Sequence, residues 1–329
     1  MLITRTVAAT AVAAVVVTVI TPMLAAGPAA ATYEGNDGRL YFGAFDPAQR
    51  RSADLYASLV SGDDLKQLTE AGARRDICPA VSADGKRVAL CSDRTGNYEI
   101  WTMDANGKSL DQLTSLGGYS IFPDFSPSGA AIAFTHGAPS DPDITGIWVA
   151  DASSGAAHRL VPAATAPGLW ADAYPAYSPD GSTVLFVRQK LEFDPVEGFP
   201  FPVEGQLWTY DLSSGTSAQL TFDPTIKDQV PDWSPDGSRI AYGADDDVFM
   251  IGADGSDMVN LTSSPAAEFG AAWSPRGRWI AFTGGGSDVP AGQRYVQVVR
   301  PDGTGRRVVA PTPGLLQAVP SWQPLGAGR

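Results

Sequence analysis

The 329-residue sequence is poor in the residues that most metal sites and acid–base centres use, with 2 histidines and 2 cysteines. It offers little material for a zinc site or for a catalytic centre built around histidine. Positive charge is also scarce, because 23 lysines and arginines stand against 36 aspartates and glutamates, a formal net charge of −13. So acidic a surface repels phosphate groups, which argues against binding of nucleic acid or of a membrane surface.

Two motifs of reactive sites are missing as well. The sequence has no G-x-S-x-G motif of a serine hydrolase, and its two cysteines do not form the C-x-x-C spacing of a redox site. We therefore expect a protein that is not an enzyme and that needs no cofactor.

The first residues are typical of an export signal. Arg5 supplies a short positive region, the apolar stretch Thr6–Ile20 follows, and an A-x-A cleavage site precedes Thr32. The sequence thus predicts a signal peptide over residues 1–31 and a mature chain over residues 32–329. The alternative is an uncleaved anchor, because about twenty apolar residues just span a bilayer. We expect an extracytoplasmic protein, secreted or in the periplasm or cell envelope, with no membrane span after cleavage.

One short turn motif recurs along the chain. Ser-Pro-Asp-Gly stands at 178–181 and 234–237, and near copies stand at 82–85, 126–129 and 274–277. Proline sets the first corner of such a turn, Asp or Ser suits the second, and Gly takes the left-handed position. A large apolar residue precedes each copy and alternating apolar residues follow, as in Trp233 before the turn and Ile240 and Tyr242 after it. Each copy therefore predicts a β-hairpin.

Two more strands follow each hairpin, one with an apolar pair such as Ile100-Trp101 and one ending in a pair such as Leu113-Thr114. Four short strands in a unit of about 40–55 residues describe a propeller blade. The anchor glycines begin at Gly38 and define six units, and Val319–Trp322 is an innermost strand with no second strand after it. We predict an all-β fold: a six-bladed β-propeller of four-stranded antiparallel blades, closed by the C-terminal strand joining the N-terminal blade.

These WD-like repeats resemble the TolB-like six-bladed β-propeller family. The resemblance rests on Pro231–Gly237 with Ile240-Ala241-Tyr242, and on Ile100–Asp104 leading to Leu113-Thr114, and it extends over about residues 36–326. It implies interaction with a protein or peptide partner in the cell envelope. TolB itself carries an α/β domain before its propeller, and we expect that domain to be missing here.

A polar column marks the start of the predicted innermost strands. Three residues before the position of the repeat proline, which one copy fills with Ala271, lie Asp76, Ser120, Asp172, Asp228, Glu268 and Gln317. These residues are expected to ring one mouth of the central channel, where carboxylates could hold a cation, with calcium as the candidate, or a basic segment of a partner. The alternative is that each carboxylate caps a local turn.

The longest predicted connection on the same face is Arg188–Gly205, which carries Phe193, Phe199 and Phe201 among acidic residues and prolines. Aromatic residues in a proline-stiffened loop beside the mouth predict a contact surface for the partner. The alternative is a loop that folds back on its own blade.

Cys78 and Cys91 flank the turn at 82–85. If Val81 opposes Val88, the two cysteines also face each other, which predicts a cross-strand disulfide in an exported protein. A one-residue bulge would break this register.

These observations together favour an exported, monomeric, non-catalytic propeller that binds a protein or peptide partner through its channel-mouth face. The alternatives are a cation- or carbohydrate-binding propeller and a hydrolase that uses the acidic mouth. No residue is assigned a catalytic role, and the ligands of any metal stay unknown.

Overall fold

The computed structural model of the chain describes residues 36–48, 52–70, 72–138, 141–165, 168–194, 199–223, 229–286 and 288–325. The predicted signal peptide lies outside these residues. All regular elements of the described part are β-strands, and this part holds no helix long and apolar enough to cross a bilayer.

The strands form six four-stranded antiparallel sheets, which confirms the predicted blades. Blade 1 contains β1 (Asn36–Phe45), β2 (Asp54–Leu59) and β3 (Lys66–Gln67). Blade 2 contains β4 (Asp76–Val81), β5 (Arg87–Ser92), β6 (Glu99–Asp104) and β7 (Asp111–Gln112). Blade 3 contains β8 (Tyr119–Phe125), β9 (Ala131–Ala138), β10 (Asp141–Asp151) and β11 (Ala157–Arg159).

The second half of the ring repeats this order. Blade 4 contains β12 (Leu169–Tyr177), β13 (Thr183–Asp194), β14 (Phe199–Asp211) and β15 (Thr216–Gln219). Blade 5 contains β16 (Gln229–Trp233), β17 (Arg239–Ala244), β18 (Asp247–Gly252) and β19 (Val259–Asn260). Blade 6 contains β20 (Glu268–Trp273), β21 (Ile280–Gly284), β22 (Tyr295–Val299) and β23 (Arg307–Val308), and β24 (Leu316–Leu325) follows.

The ring is closed as predicted. β24 is the innermost strand of blade 1 and pairs antiparallel with β1, with Trp322 opposite Leu40. Asp37 of β1 also accepts two hydrogen bonds from the guanidinium of Arg278 in blade 6, at 3.2 and 2.8 Å. Blade 1 thus contains strands from both ends of the described chain, and the pairing of these strands closes the ring.

The repeated turns join the first and second strands of the blades and define one end of the ring, here called the turn face. In blade 4 the Gly181 N–H donates to the Ser178 carbonyl at 2.8 Å, and Gly181 has φ 72°. The Ser178 hydroxyl donates to Asp180 at 2.6 Å and accepts the Thr183 N–H at 3.0 Å. The serine therefore satisfies both the turn carboxylate and the first residue of the next strand, which explains its recurrence.

The recurring Leu-Thr pair has an equally local cause. Thr114 Oγ1 accepts the N–H of Ile100 at 2.9 Å, where the third strand of blade 2 would otherwise leave a buried donor unpaired. The same contact is made by Thr69 to Leu55, Thr221 to Leu207 and Thr262 to Val248. The threonine hydroxyl completes the sheet where the short outer strand ends.

Each innermost strand bends at one equivalent residue with a positive φ, between 25° and 66°. These residues are Cys78, Phe122, Tyr174, Val230, Gly270 and Val319, here called the channel plug. The rings of Phe122 and Tyr174 lie 4.6 Å apart, and a Cβ on Gly270 would lie within 4.0 Å of both Val230 and Val319. The side chains of the plug are buried, so they fill the axis of the ring with apolar groups.

Candidate functional site: the mouth of the channel

The predicted polar column lies at equivalent positions of the ring. The register pairs its members with the second strands as Asp76 to Ser92, Ser120 to His136, Asp172 to Arg188, Glu268 to Gly284 and Gln317 to Ala44. The sixth member, Asp228, lies outside the described residues. We call this end of the ring, where the innermost strands begin, the mouth face.

The described members of the column are buried, so the carboxylates do not form an exposed rim. Asp76 has 0%, Asp172 3% and Glu268 1% of its surface exposed. These three side chains are therefore not open to solvent, and binding of an ion or a partner by the column stays a prediction. The innermost strands begin beneath the connections of the mouth face, and these cover the side chains.

An arginine holds each of the three buried carboxylates. Arg94 donates to Asp76 through Nε at 3.1 Å and Nη2 at 2.5 Å, and the Ser92 hydroxyl donates to the same carboxylate at 2.7 Å. The contact of Glu268 is with Arg306, whose Nη2 lies 2.6 Å from Oε1. Buried ion pairs of this kind are costly to break, because the remaining charge is left without compensation.

The pair in blade 4 has the most complete geometry. Arg188 donates to both oxygens of Asp172, at 2.7 and 2.8 Å, and its guanidinium lies between the rings of Phe186 and Trp208 at 5.3 and 4.8 Å. Burial raises the pKa of Asp172 above its usual value although Arg188 acts in the opposite direction. Burial likewise raises the pKa of Glu268. Desolvation thus outweighs the attraction of the arginine at both carboxylates.

The two neutral members of the column are held by hydrogen bonds alone. Gln317 accepts the N–H of Val296 at 2.5 Å and donates to the Ala310 carbonyl at 2.8 Å. The Ser120 hydroxyl lies 3.0 Å from Nδ1 of His136 and 3.2 Å from a carboxylate oxygen of Glu99. Burial lowers the pKa of His136. Through these contacts, the described members of the column fix the innermost strands where they begin, at the mouth face.

Sequence reasoning missed a second polar position beside the mouth. Glu99 begins the third strand of blade 2 and accepts the N–H groups of Leu116 and Gly117 at 2.8 and 3.0 Å. Asp247 does the same in blade 5 for Ser264, at 2.8 Å. Both side chains tether the connection that leads to the next innermost strand. The available signal was a polar residue directly before the apolar start of a third strand.

The predicted connection Arg188–Gly205 is mostly strand. β13 and β14 pair from Thr183 opposite Asp211 to Asp194 opposite Phe199, so the segment is a long hairpin that continues the sheet of blade 4. We call the described residues 188–194 and 199–206 the blade-4 hairpin. Lys190 Nζ lies 3.0 Å from Glu204 across its two strands. Neither a loose loop nor a loop folded back on its own blade describes this element.

The blade-4 hairpin carries exposed aromatic side chains. Phe193 is 62% and Phe201 is 37% exposed, and Phe222, just after β15, is 73% exposed. The side chain of Phe199 lies outside the described side chains. Phe193 opposes Pro200 and Phe201 opposes Glu192, so the two rings project from opposite faces of the hairpin, and each is an exposed apolar group that another molecule can cover.

The cysteines depart from their predicted register. Val81 opposes Val88, but the bend at Cys78 shifts the pairing, so Cys91 opposes Ile77. Both cysteines are buried and free, and burial raises the pKa of Cys91. The Cys91 sulfur accepts the N–H of Phe122 in the next blade at 3.4 Å. The predicted facing register is thus wrong because of the bulge, while oxidation of the two thiols to a disulfide stays a prediction.

A metal site at the mouth also stays a prediction. Within the ranges that the structure describes, no group of three or more His, Cys, Asp or Glu side chains is arranged to hold a metal ion. A calcium ion at the column would have to compete with the arginines for Asp76, Asp172 and Glu268.

Two parts of the chain match families of known proteins. Residues 43–192 match the family described as TolB beta propeller domain. Residues 193–285 match the family described as dipeptidyl peptidase IV (DPP IV) N-terminal region. Together these matches support a TolB-like β-propeller fold for the chain.

Relatives of this TolB-like propeller are distant. A TolB homolog of Chlorobium chlorochromatii is 27% identical over 210 residues, which cover 64% of this chain and 41% of that protein. An uncharacterized protein of Agrobacterium fabrum is 28% identical over 163 residues, 49% of this chain and 52% of the other. The chain thus spans about half or less of the length of these curated relatives.

The crystal structure of TolB from Acinetobacter baumannii is similar to this chain with a TM-score of 0.69 and 21% identity, over 87% of this chain and 67% of that one. This similarity supports the fold of the TolB-like propeller and leaves its ligands open.

Proposed function

We propose that this TolB-like propeller is an exported protein without catalytic activity that binds a protein or peptide partner through its mouth face. The observation that carries this proposal is the exposure of Phe193 and Phe201, one on each face of the blade-4 hairpin. A hairpin that continues a four-stranded blade is already ordered, so binding through it costs less conformational entropy than binding through a loose loop. Aromatic side chains contribute much of the binding energy of protein interfaces.

The polar surroundings of these aromatic residues favour a basic partner. Glu192 is exposed next to Phe193, and the nearby cation Lys190 is already paired with Glu204. A partner segment with lysine or arginine beside apolar residues would complement this surface. The family resemblance supports a partner in the cell envelope, and the predicted signal peptide supports export.

In-cell crosslinking tests the proposal. A photoreactive phenylalanine analogue replaces Phe193, and the control protein carries it in place of Lys108, an exposed residue of the turn face. We expect a defined protein adduct from position 193 and none from position 108. Equal adducts from both positions, or none from position 193, would contradict the proposal.

Two alternative functions have their own support and their own tests. The match to the DPP IV N-terminal region favours a propeller that works beside a hydrolase, and turnover on a panel of ester, peptide and glycoside substrates would support it. The carboxylates of the column are the candidate ligands for the cation- or carbohydrate-binding alternative, in competition with the arginines that already pair with three of them. Calorimetry with calcium, before and after Asp172→Asn, tests that alternative, because a true site loses heat of binding in the variant.

A further inference from the structure

Charge is unevenly divided between two neighbouring blades. The blade 5 segment, residues 229–267, contains seven aspartates and one arginine, a formal charge of −6. The blade 6 segment, residues 268–315, contains three acidic residues and six arginines, a formal charge of +3. Because the whole chain carries −13, blade 6 is a basic region on an acidic protein. Such a region attracts a partner of the opposite sign to one place on the ring.

Blade 6 also reverses the charge of the repeated turn. The second corner holds Asp84, Asp180 and Asp236 in three other blades, but Arg276 in blade 6. The turn does not need the arginine for its shape, because Ser274 Oγ accepts the N–H groups of Arg278 and Trp279, each at 3.1 Å. The arginine side chain is therefore left without a role in the turn itself.

Arg276 lines an open cleft on the turn face between blades 5 and 6. The cleft has a volume of about 750 Å³, and Arg239 and Arg278 line it as well. Asp236 is the acidic residue of the lining, and its carboxylate already accepts hydrogen bonds from Ser234 and Ser238. The apolar part of the lining is Trp273, Pro235, Pro275 and Pro301. A cleft of this size accepts a few residues of an extended chain.

The arginines of the cleft differ in how far they are already engaged. Arg278 is paired with Asp37. Arg239 Nη1 lies 3.7 Å from the sulfur of Met250, which is a weak acceptor, and within the described part of the chain the guanidinium of Arg276 has no hydrogen-bond acceptor. Two guanidinium groups from neighbouring blades thus keep donors that a carboxylate can accept.

We propose that this cleft binds an acidic segment of a polypeptide, with its carboxylates on Arg239 and Arg276. The two guanidinium groups belong to different blades, so the ligand carries at least two anionic groups. The proline and tryptophan walls between them favour a ligand with apolar parts, as a peptide has and inorganic phosphate does not. The site lies at the opposite end of the ring from the mouth face, so it is independent of the proposed function.

Fluorescence anisotropy with a labelled peptide of alternating glutamate and alanine tests this site. The variant Arg276→Asp is well suited because it restores the residue that the other turns carry, so folding is retained. Lys108→Asp makes the same charge reversal on the turn face of blade 2, outside the cleft, and serves as the matched control. We expect Arg276→Asp to weaken peptide binding about tenfold or more, and Lys108→Asp to leave it nearly unchanged.

Three results would overturn the proposal. The first is no binding of the peptide by the unaltered protein at about 10 mM salt, where attraction between charges is screened least. The second is an equal loss of affinity in both variants, which would mean that overall charge and not the cleft attracts the peptide. The third is displacement of the peptide by inorganic phosphate at equal concentration, which would mean that the cleft recognises any small anion. Far-ultraviolet circular dichroism of both variants confirms that they are folded.

Discussion

Carboxylates occur at both ends of the ring, and the two ends treat them in opposite ways. On the turn face, Asp180 and Asp236 are exposed, and hydrogen bonds from neighbouring serines lower the pKa of each. On the mouth face, Asp172 and Glu268 are buried beside arginines, and burial raises the pKa of each. A carboxylate on the turn face therefore stabilises its own turn, whereas these carboxylates on the mouth face are buried and each is paired with an arginine.

The two faces also differ in how closely their blades repeat one another. The turn face carries five copies of one motif, and among these five turns Arg276 alone reverses the charge of the second corner. The mouth face is irregular, because each carboxylate of the column finds its arginine at a different place in its blade and one hairpin extends far beyond the others. Binding surfaces on repetitive scaffolds are expected where the repeats differ.

Removal of Arg188 from the mouth face is expected to have the largest effect on stability. Arg188→Met leaves the buried carboxylate of Asp172 without a cation, so the free energy of unfolding should fall by about 3–5 kcal/mol. Urea denaturation at neutral pH measures this change. The double variant Arg188→Met with Asp172→Asn should recover most of the loss. A double variant as unstable as the single one would mean that packing on Phe186 and Trp208 matters more than the charge.

A smaller effect is expected at Cys91, whose sulfur accepts a backbone N–H of the channel plug. Thr135 makes the equivalent contact in blade 3, accepting the N–H of Tyr174 at 3.1 Å. Cys91→Ala leaves the N–H of Phe122 buried without this acceptor and should cost about 1–3 kcal/mol. Cys91→Thr should cost clearly less, because the hydroxyl replaces the sulfur. Equal losses in urea denaturation under reducing conditions would contradict this role.

The smallest effect is expected for the pH dependence of single aspartates, and it should differ in sign between the two ends. Hydrogen bonds from Ser213 and Ser214 lower the pKa of Asp211 on the turn face to about 2. Its contribution is present above the unfolded pKa of about 4 and is lost as the pH falls toward 2. Asp172 has a raised pKa, so its contribution declines as the pH rises above about 4.

The urea midpoints of Asp211→Asn and Asp172→Asn, each compared with the unaltered protein between about pH 2 and pH 6, measure this contrast. We expect the difference from the unaltered protein to change with pH in opposite directions for the two variants. The same direction for both would mean that burial at the mouth does not control the ionisation of Asp172.

The sequence was sufficient to predict the ring, because the turn motif depends on contacts within five residues. Ser178, Asp180 and Gly181 each act on their own turn, so their recurrence reports the same local structure each time. Closure by β24 also followed from counting strands, since an innermost strand without a partner at one end of the chain matches a blade that lacks one.

The bulge and the arginine pairs could not be predicted in the same way. The left-handed position is occupied by Cys78, Phe122 and Tyr174, residue types that rarely adopt positive φ, so composition gives no sign of it. Arg94 and Arg306 lie in connections, after a second strand and directly before an outer strand, whereas Arg188 lies within a second strand. Because these arginines follow no common sequence spacing from their carboxylates, only the folded structure identifies the pairs.

The pairing of β1 with β24 has a consequence for the order of events in folding. The two strands are separated by almost the whole described chain, so their contact has the highest sequence separation in the molecule and is among the slowest to form. Before β24 is synthesised, blade 1 lacks its inner strand and the ring of blades is not closed. Until then the blades form an open arc, in which β1 exposes the backbone edge that β24 later covers.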